Sequence, residues 1–299
     1  MTQRADPQQP ATLRHAATVI LLREERGDIE VLLTRRHEQL SFMGGMWVFP
    51  GGALCAADTD EAALASIADA ETIDCERFCD LHGQPLPRSL CLGLTLAACR
   101  ETFEETGVLL ATTNDGHDVA TEVLARMHER RRAIVSQPEL FATSLQEVHL
   151  RIQLHGLLHW AHWITPMSVP KRFDTRFFLA RMPRQQSAAI DAIEATEMAW
   201  MTPTSIIAAA HDGAMTLSPP TLLNLMELDA SVRQHVSLHA IFAAEARRVI
   251  VPVLPKLAPK TIVMPWDAEY HQLPGGGAPL EISYPERLRT LSSRFASAR

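Results

Sequence analysis

Apolar and polar positions divide the chain into strands and helices before any chemistry is considered. Residues 16–22 and 30–34 are aliphatic and β-branched, and a Glu/Arg/Gly turn separates them, which predicts two strands of a hairpin. Residues 47–49 predict a short strand running into Pro50-Gly51-Gly52, where glycine lets backbone approach a ligand. A helix over roughly 89–106 places Leu92, Leu96, Cys99 and Phe103 at core-stripe spacing. Leu90, Leu94, Ala97 and Ala98 fill another sector of it, and no charge occurs from Ser89 to Cys99, so this helix is expected to be buried on all sides.

The pattern continues with a strand from Val108, helices over 121–134 and 144–154, and strands over 159–164, 176–180 and 198–201. A helix over 205–211 is opened by Pro203, and residues 219–250 are largely helical. Residues 59–85 carry acidic, helix-like patterns ending in Gly83-Gln84-Pro85, which predicts an inserted helical excursion. The first dozen residues read as a loose tail.

Chemistry enters at the end of the buried helix. Glu101, Glu104 and Glu105 stand at i, i+3 and i+4 and project from one face. Gly107 is a helix stop, so the three acids occupy the negative end of the macrodipole, where each loses about 0.3–1 kcal/mol. An acidic solvated face is the ordinary explanation of such a run. Here the same sector is apolar one turn earlier, so the acids are expected to face a cleft. Hard divalent cations would relieve their repulsion, and Arg100 is placed to neutralise Glu104.

Composition narrows the class. The chain has 299 residues, 46% of them hydrophobic, and a formal charge of −7. It can bury a full core, and it has no basic footprint for nucleic acid or a membrane surface. No apolar run approaches a membrane helix and residues 1–12 lack a signal peptide's apolar core, so a cytoplasmic setting is expected. Five cysteines, an odd number, argue against a disulfide scaffold. Cys75, Cys79 and His82 have a zinc-like spacing without an evident fourth ligand, although Cys55 could approach, and reduced thiols are expected. His155, His159 and His162 lie among leucines and tryptophan and read as packing or hydrogen-bonding histidines.

Two segments carry a family resemblance. Trp47-Val48-Phe49-Pro50-Gly51-Gly52 and Arg100-Glu101-Thr102-Phe103-Glu104-Glu105-Thr106-Gly107-Val108 together resemble the Nudix box of diphosphate hydrolases, split by residues 53–99. Val31-Leu32-Leu33-Thr34-Arg35-Arg36, Trp163-Ile164-Thr165-Pro166, the stretch from Lys171 to Phe178 and that from Glu194 to Trp200 are similar to the coenzyme A diphosphatase branch typified by nucleoside diphosphate-linked moiety X motif 19. The resemblance covers most of residues 14–225. It implies an α/β class fold, the Nudix α/β/α sandwich, with a mixed sheet between helices, a helical insertion and a mainly helical C-terminal extension. The implied division is a tail over 1–13, a hydrolase domain over 14–215 and an extension over 216–299 packed on the core.

By the same resemblance, Glu101, Glu104 and Glu105 ligate Mg²⁺ or Mn²⁺ with the Gly52 carbonyl, and Arg100 holds a glutamate in place. The general base is Glu101 within the box, or Glu194 or Glu197 before Trp200. Gly51, Arg35, Arg36, Lys171 and Arg172 are the expected substrate contacts, the cations serving phosphates. The sequence departs from the family in three places. Thr102 replaces an aliphatic residue; the insertion displaces the box's first glutamate, for which Asp58 or Asp60 is a replacement; and residues 40–45 stand where coenzyme A diphosphatases carry Arg-x-His. The expected activity is metal-dependent hydrolysis of coenzyme A or acyl-coenzyme A to 3′,5′-ADP and a 4′-phosphopantetheine. Alternatives are ADP-ribose, NAD(H) or nucleoside triphosphates as substrate, or a non-catalytic nucleotide sensor. The partner is a small-molecule diphosphate, and homodimers are common in the family.

Overall fold

The computed structural model describes residues 12–190, 194–259, 261–279 and 282–295. Most of the expected N-terminal tail, residues 1–11, lies outside them. β1 (Leu13–Glu25) and β2 (Asp28–Arg36) form an antiparallel hairpin closed by Arg26 and Gly27, with φ of 53° and 90°. Two consecutive positive φ values give the turn a twist that matches its strands. β3 (Trp47–Val48) and β4 (Gly51–Ala53) follow on either side of Phe49-Pro50.

The inserted segment holds α1 (Glu61–Leu64) and separate single turns at Ala70–Thr72 and Cys75–Arg77, not one longer helix. Its aspartates take the backbone donors that a helix would use: Asp74 accepts from the Glu76 N–H, and Asp80 from those of His82 and Gln84. α2 (Arg88–Thr106) then runs to Gly107, which caps it at φ 69°. The strand expected from Val108 is reduced to β5 (Thr112–Thr113), because Leu109 gives its N–H and carbonyl to the Gln186 side chain instead of a neighbouring strand.

α3 (Thr121–Ser136) matches its pattern, whereas α4 (Leu140–Glu147) starts and stops earlier than expected. His149, at φ 58°, turns the chain out of helix into β6 (Leu150–Arg151). β7 (Leu157–Ile164), β8 (Arg172–Arg181), β9 (Ala195–Met201) and α5 (Pro203–His211) complete the central region, α5 being capped by the Thr202 side chain. The chain then forms α6 (Pro219–Gln234), α7 (Leu238–Glu245), β10 (Pro252–Val253), β11 (Lys256–Ala258), β12 (Thr261–Val263) and α8 (Glu286–Phe295).

Among the described residues the main sheet has eight strands and runs β10-β7-β8-β1-β2-β3, with β4 also paired to β1 and β9 to β2. It is mixed: β1 with β8 and β7 with β10 are parallel, and the remaining pairs antiparallel. Strand alternation sends Ala17, Val19, Leu21 and Leu32 to one face, where they pack on Cys91, Leu94, Ala97 and Ala98 of α2. Ile20, Leu22, Val31 and Leu33 point to the other face, against Ile206, Leu223, Leu228 and Ile241 of α5, α6 and α7.

α2 therefore meets the sheet with the sector that the Leu92, Leu96, Cys99 and Phe103 stripe does not occupy. That stripe instead packs on Leu124 and Met127 of α3 and Phe141 and Leu145 of α4. Buried on both sides, the helix still carries three threonine hydroxyls, and each returns its hydrogen bond to the preceding turn: Thr95 to Cys91, Thr102 to Ala98 and Thr106 to Thr102. Thr102 thus fills an aliphatic position without an orphaned polar group. Among the described residues, no helix is long and apolar enough to cross a membrane.

Candidate active site

Helix phase decides where the acids go. The sector of α2 that lies on the sheet at Leu94, Ala97 and Ala98 becomes Glu101 and Glu105 one turn later, where the sheet ends at β4. A Cβ built on Gly52 would lie 2.4 Å from Oε2 of Glu101, and one on Gly51 would lie 2.5 Å from the Ala17 carbonyl oxygen. Both positions need glycine for close approach. The Gly51 N–H donates to Glu105 Oε2 at 3.2 Å.

Arg100 sits beneath these acids with its side chain only 3% exposed. Its Nε and Nη2 fork onto both oxygens of Asp58 at 2.8 and 2.9 Å, and Nη1 reaches Glu101 at 2.9 Å and Glu104 at 3.0 Å. Asp58 is itself buried and accepts the Cys55 N–H at 2.9 Å. Of the two aspartates considered as replacements for the displaced glutamate, Asp58 is the one at the site; Asp60 begins α1 on the surface.

Burial raises the pKa of all three glutamates, because their charged forms lose hydration. Glu104 is pushed up to about 7 by burial and the Glu101 charge, with Arg100 opposing. Glu105 is pushed up to about 8 by burial and Glu101, with Arg36 and the Gly51 N–H opposing. Glu101 is raised by burial too, although Arg100 pulls it back. Withdrawn carboxylates beside bared glycine backbone, without a thiolate or imidazole, are a hard-oxygen donor set that fits a hard divalent cation. Among the described residues, no three His, Cys, Asp or Glu side chains already converge as ligands on one point. Glu101 and Glu104 turn to Arg100 instead.

The acids close one end of a cavity of about 500 Å³. Arg36, Gly51, Gly52, Glu101, Glu105 and Glu194 line that end, and a small adjoining cavity adds Glu104. Glu194 is fixed through its carbonyl, which accepts the His37 N–H at 2.9 Å. Further out, Arg14, Phe42, Lys171 and Phe173 form a cationic and aromatic wall, with the Lys171 ammonium 5.4 and 5.6 Å from the two ring centroids.

Three expected site residues stand elsewhere. Arg35 and Glu197 pair with each other at 2.5 Å and do not line the cavity, since strand alternation turns Arg35 to the face opposite Arg36. Glu194, not Glu197, is the late acid at the site. Arg172 alternates with the cavity-lining Lys171 and Phe173, and its Nε is spent on the Thr165 carbonyl at 3.2 Å.

Hydrophobic pattern could not single out Arg14, Phe42 or Phe173, whose signal is only their convergence in space. Cys55, Cys75 and Cys79 are free thiols. The His162 Nε2–H donates to the Asp174 carboxylate at 2.5 Å, and His159 stacks on Phe78 at 4.6 Å between ring centroids.

Comparison with known proteins adds relatives to this geometry. The family model described as the NUDT19 Nudix domain matches residues 9–228. The protein named acyl-coenzyme A diphosphatase NUDT19 from Xenopus laevis is 24% identical over 233 residues, spanning 67% of this chain but 60% of that protein. Its human counterpart is 25% identical over 286 residues, spanning 85% and 73%. The crystal structure of a Nudix hydrolase from Alicyclobacillus acidocaldarius aligns with a TM-score of 0.59 at 23% identity, covering 78% of this chain and 96% of that one, and so shares its fold.

Proposed function

The chain belongs to the Nudix hydrolase family, in its NUDT19 branch, and from that premise we propose that it hydrolyses the diphosphate of coenzyme A or acyl-coenzyme A to 3′,5′-ADP and a 4′-phosphopantetheine. The observation that carries this reading is the pairing, in one cavity, of buried carboxylates against Gly51-Gly52 with a cationic, aromatic and apolar remainder. The names of the NUDT19 relatives support the coenzyme A class.

Glu101, Glu104, Glu105 and the Gly52 carbonyl would hold Mg²⁺ or Mn²⁺, with Arg100 and Asp58 fixing the orientation of the first two acids. When bound, such an ion supplies charge neutralisation to the diphosphate and acidifies an attacking water. Arg36 lines the cavity, and with its Nε donating to the Phe42 carbonyl at 3.3 Å its two Nη groups are left to bind a diphosphate oxygen beside Glu105. Glu194 faces the same space and is the base that accepts the water's proton, ahead of Glu101, which is engaged by Arg100. Lys171 and Arg14 take the 3′-phosphate next to the rings of Phe42 and Phe173, on which adenine stacks.

The test is a panel of coenzyme A, dephospho-coenzyme A, ADP-ribose, NADH and ATP with Mg²⁺ or Mn²⁺, products being identified by mass. Coenzyme A should give the two named products with the highest kcat/KM, and dephospho-coenzyme A should lose part of that advantage. Preference for ADP-ribose or ATP would contradict the substrate class.

A further inference from the structure

The far end of the cavity is built by residues beyond the 9–228 match, and register shows how far away it lies. Ala53 on β4, Ala16 on β1, Thr175 on β8, Trp163 on β7 and Val253 on β10 form one transverse row of directly paired positions. The first four line the cavity floor. Four inter-strand steps of about 4.8 Å make the row roughly 19 Å long, starting beside Gly52 and Glu101.

From Val253 the chain continues through Pro255 into the β11–β12 hairpin. Its two faces have different jobs. Lys256 pairs with Val263 on the inner face, where Lys256 Nζ donates to the Leu273 carbonyl at 2.9 Å and lies 4.8 Å from the Tyr270 ring centroid, while Val263 is in the core. Leu257 pairs with Ile262 on the other face, and both line the cavity. Leu257 is 47% exposed there, beside Trp163, Pro166 and Val169. This end contributes apolar surface, unlike the Arg14 and Lys171 wall.

We infer that the β11–β12 hairpin, through Leu257 and Ile262, receives the acyl group of a thioester substrate and sets the preferred chain length. This rests on the coenzyme A reading of the site. About thirteen bonds separate the pantetheine phosphorus from its sulfur, or roughly 16 Å at the 1.2 Å per bond of an extended chain. With the diphosphate at Glu101 and Gly52, the sulfur falls between the Trp163 and Val253 positions of the row. Any acyl chain beyond it runs onto the hairpin, where burying each methylene adds binding. Adenine and a 3′-phosphate would find no cation or hydrogen-bonding side chain on Leu257 and Ile262, so the acyl arm is the half of the substrate that suits this end.

The experiment measures kcat/KM with Mn²⁺ for coenzyme A and its acetyl, octanoyl and palmitoyl thioesters, in the wild type, Leu257→Ser and Leu257→Trp. In the wild type, kcat/KM should rise from acetyl to octanoyl. Leu257→Ser should lower the octanoyl-to-coenzyme A ratio on the order of tenfold, and Leu257→Trp should move the preference to shorter chains. A flat chain-length profile in the wild type, or an unchanged ratio in both variants, overturns the assignment while leaving coenzyme A cleavage standing. Cleavage of ADP-ribose but of no coenzyme A compound overturns the reading beneath it, and the hairpin's role with it.

Discussion

Arg100 is the residue on which the site's geometry turns. One guanidinium, almost without exposure, ties Asp58 from the insertion to Glu101 and Glu104 from its own helix. Removing Asp58 leaves a buried charge short of its forked partner, and breaking such a pair costs about 3–5 kcal/mol. Asp58→Ala should therefore unfold at markedly lower denaturant, measured by chemical melts, and lose activity as the glutamates lose their anchor. Glu104→Gln is the contrasting case. Burial and the Glu101 charge already push the Glu104 carboxyl up to about 7 against the pull of Arg100, so a neutral amide whose oxygen still accepts from Arg100 Nη1 should hold the melting temperature at neutral pH while turnover falls by orders of magnitude. An active Glu104→Gln enzyme would remove this carboxylate from the ligand set. Among the cations, Lys171→Ala should raise KM for coenzyme A more than for its dephospho form, whereas Arg172→Ala should change both by less than about twofold, because its guanidinium is turned onto the Thr165 carbonyl.

At the scale of the element, α2 couples stability to pH and metal. Glu104 and Glu105 have folded-state pKa values near 7 and 8, above the 4.5 of an unperturbed glutamate. The folded state then holds more protons than the unfolded one between those limits, so the stability these groups contribute is present below about pH 4.5 and is lost as pH rises through 7 to 8. Metal-free protein should melt several degrees lower at pH 8 than at pH 5.5, and Mn²⁺ should shrink or reverse the difference because it binds the ionised acids. Calorimetry with and without chelator reads this out. An identical pH profile in both states would separate these glutamates from the metal. Periodicity made much of α2 legible, from its length and stop at Gly107 to its burial on every side. It could not tell which apolar sector meets the sheet, because Leu94, Ala97, Ala98 and the Leu92 stripe are equally apolar. Nor could it place the insertion's aspartates, since Asp58 acts on a guanidinium 42 positions away.

For the whole molecule, the C-terminal third is part of the central body. β10 extends the sheet next to β7, and Ile241, Leu254 and Tyr270 sit in the core below α5 and α6. A chain ended at residue 228 should lose cooperative unfolding and near-ultraviolet ellipticity, although the family match stops there. Retained cooperativity would make the later residues an appendage. Sequence carried the strand hairpin, the split box and the acids at the helix end, all of them local patterns. The cavity was not legible, because its lining comes from distant parts of the chain, Arg14 on β1, Trp163 on β7, Phe173 on β8 and Leu257 on β11, with Phe42 from the loop between β2 and β3. Strand alternation displaced Arg35, Arg172 and Glu197 from the site, a one-residue matter that only strand boundaries fix.

Crystals grown with Mn²⁺ would decide whether the acids at the end of α2 are a metal centre. Anomalous difference density should lie among Glu101, Glu104, Glu105 and the Gly52 carbonyl, at the acidic end of the cavity. Manganese bound elsewhere, with Glu101 and Glu104 still held by Arg100 and no density beside Gly52, would contradict it.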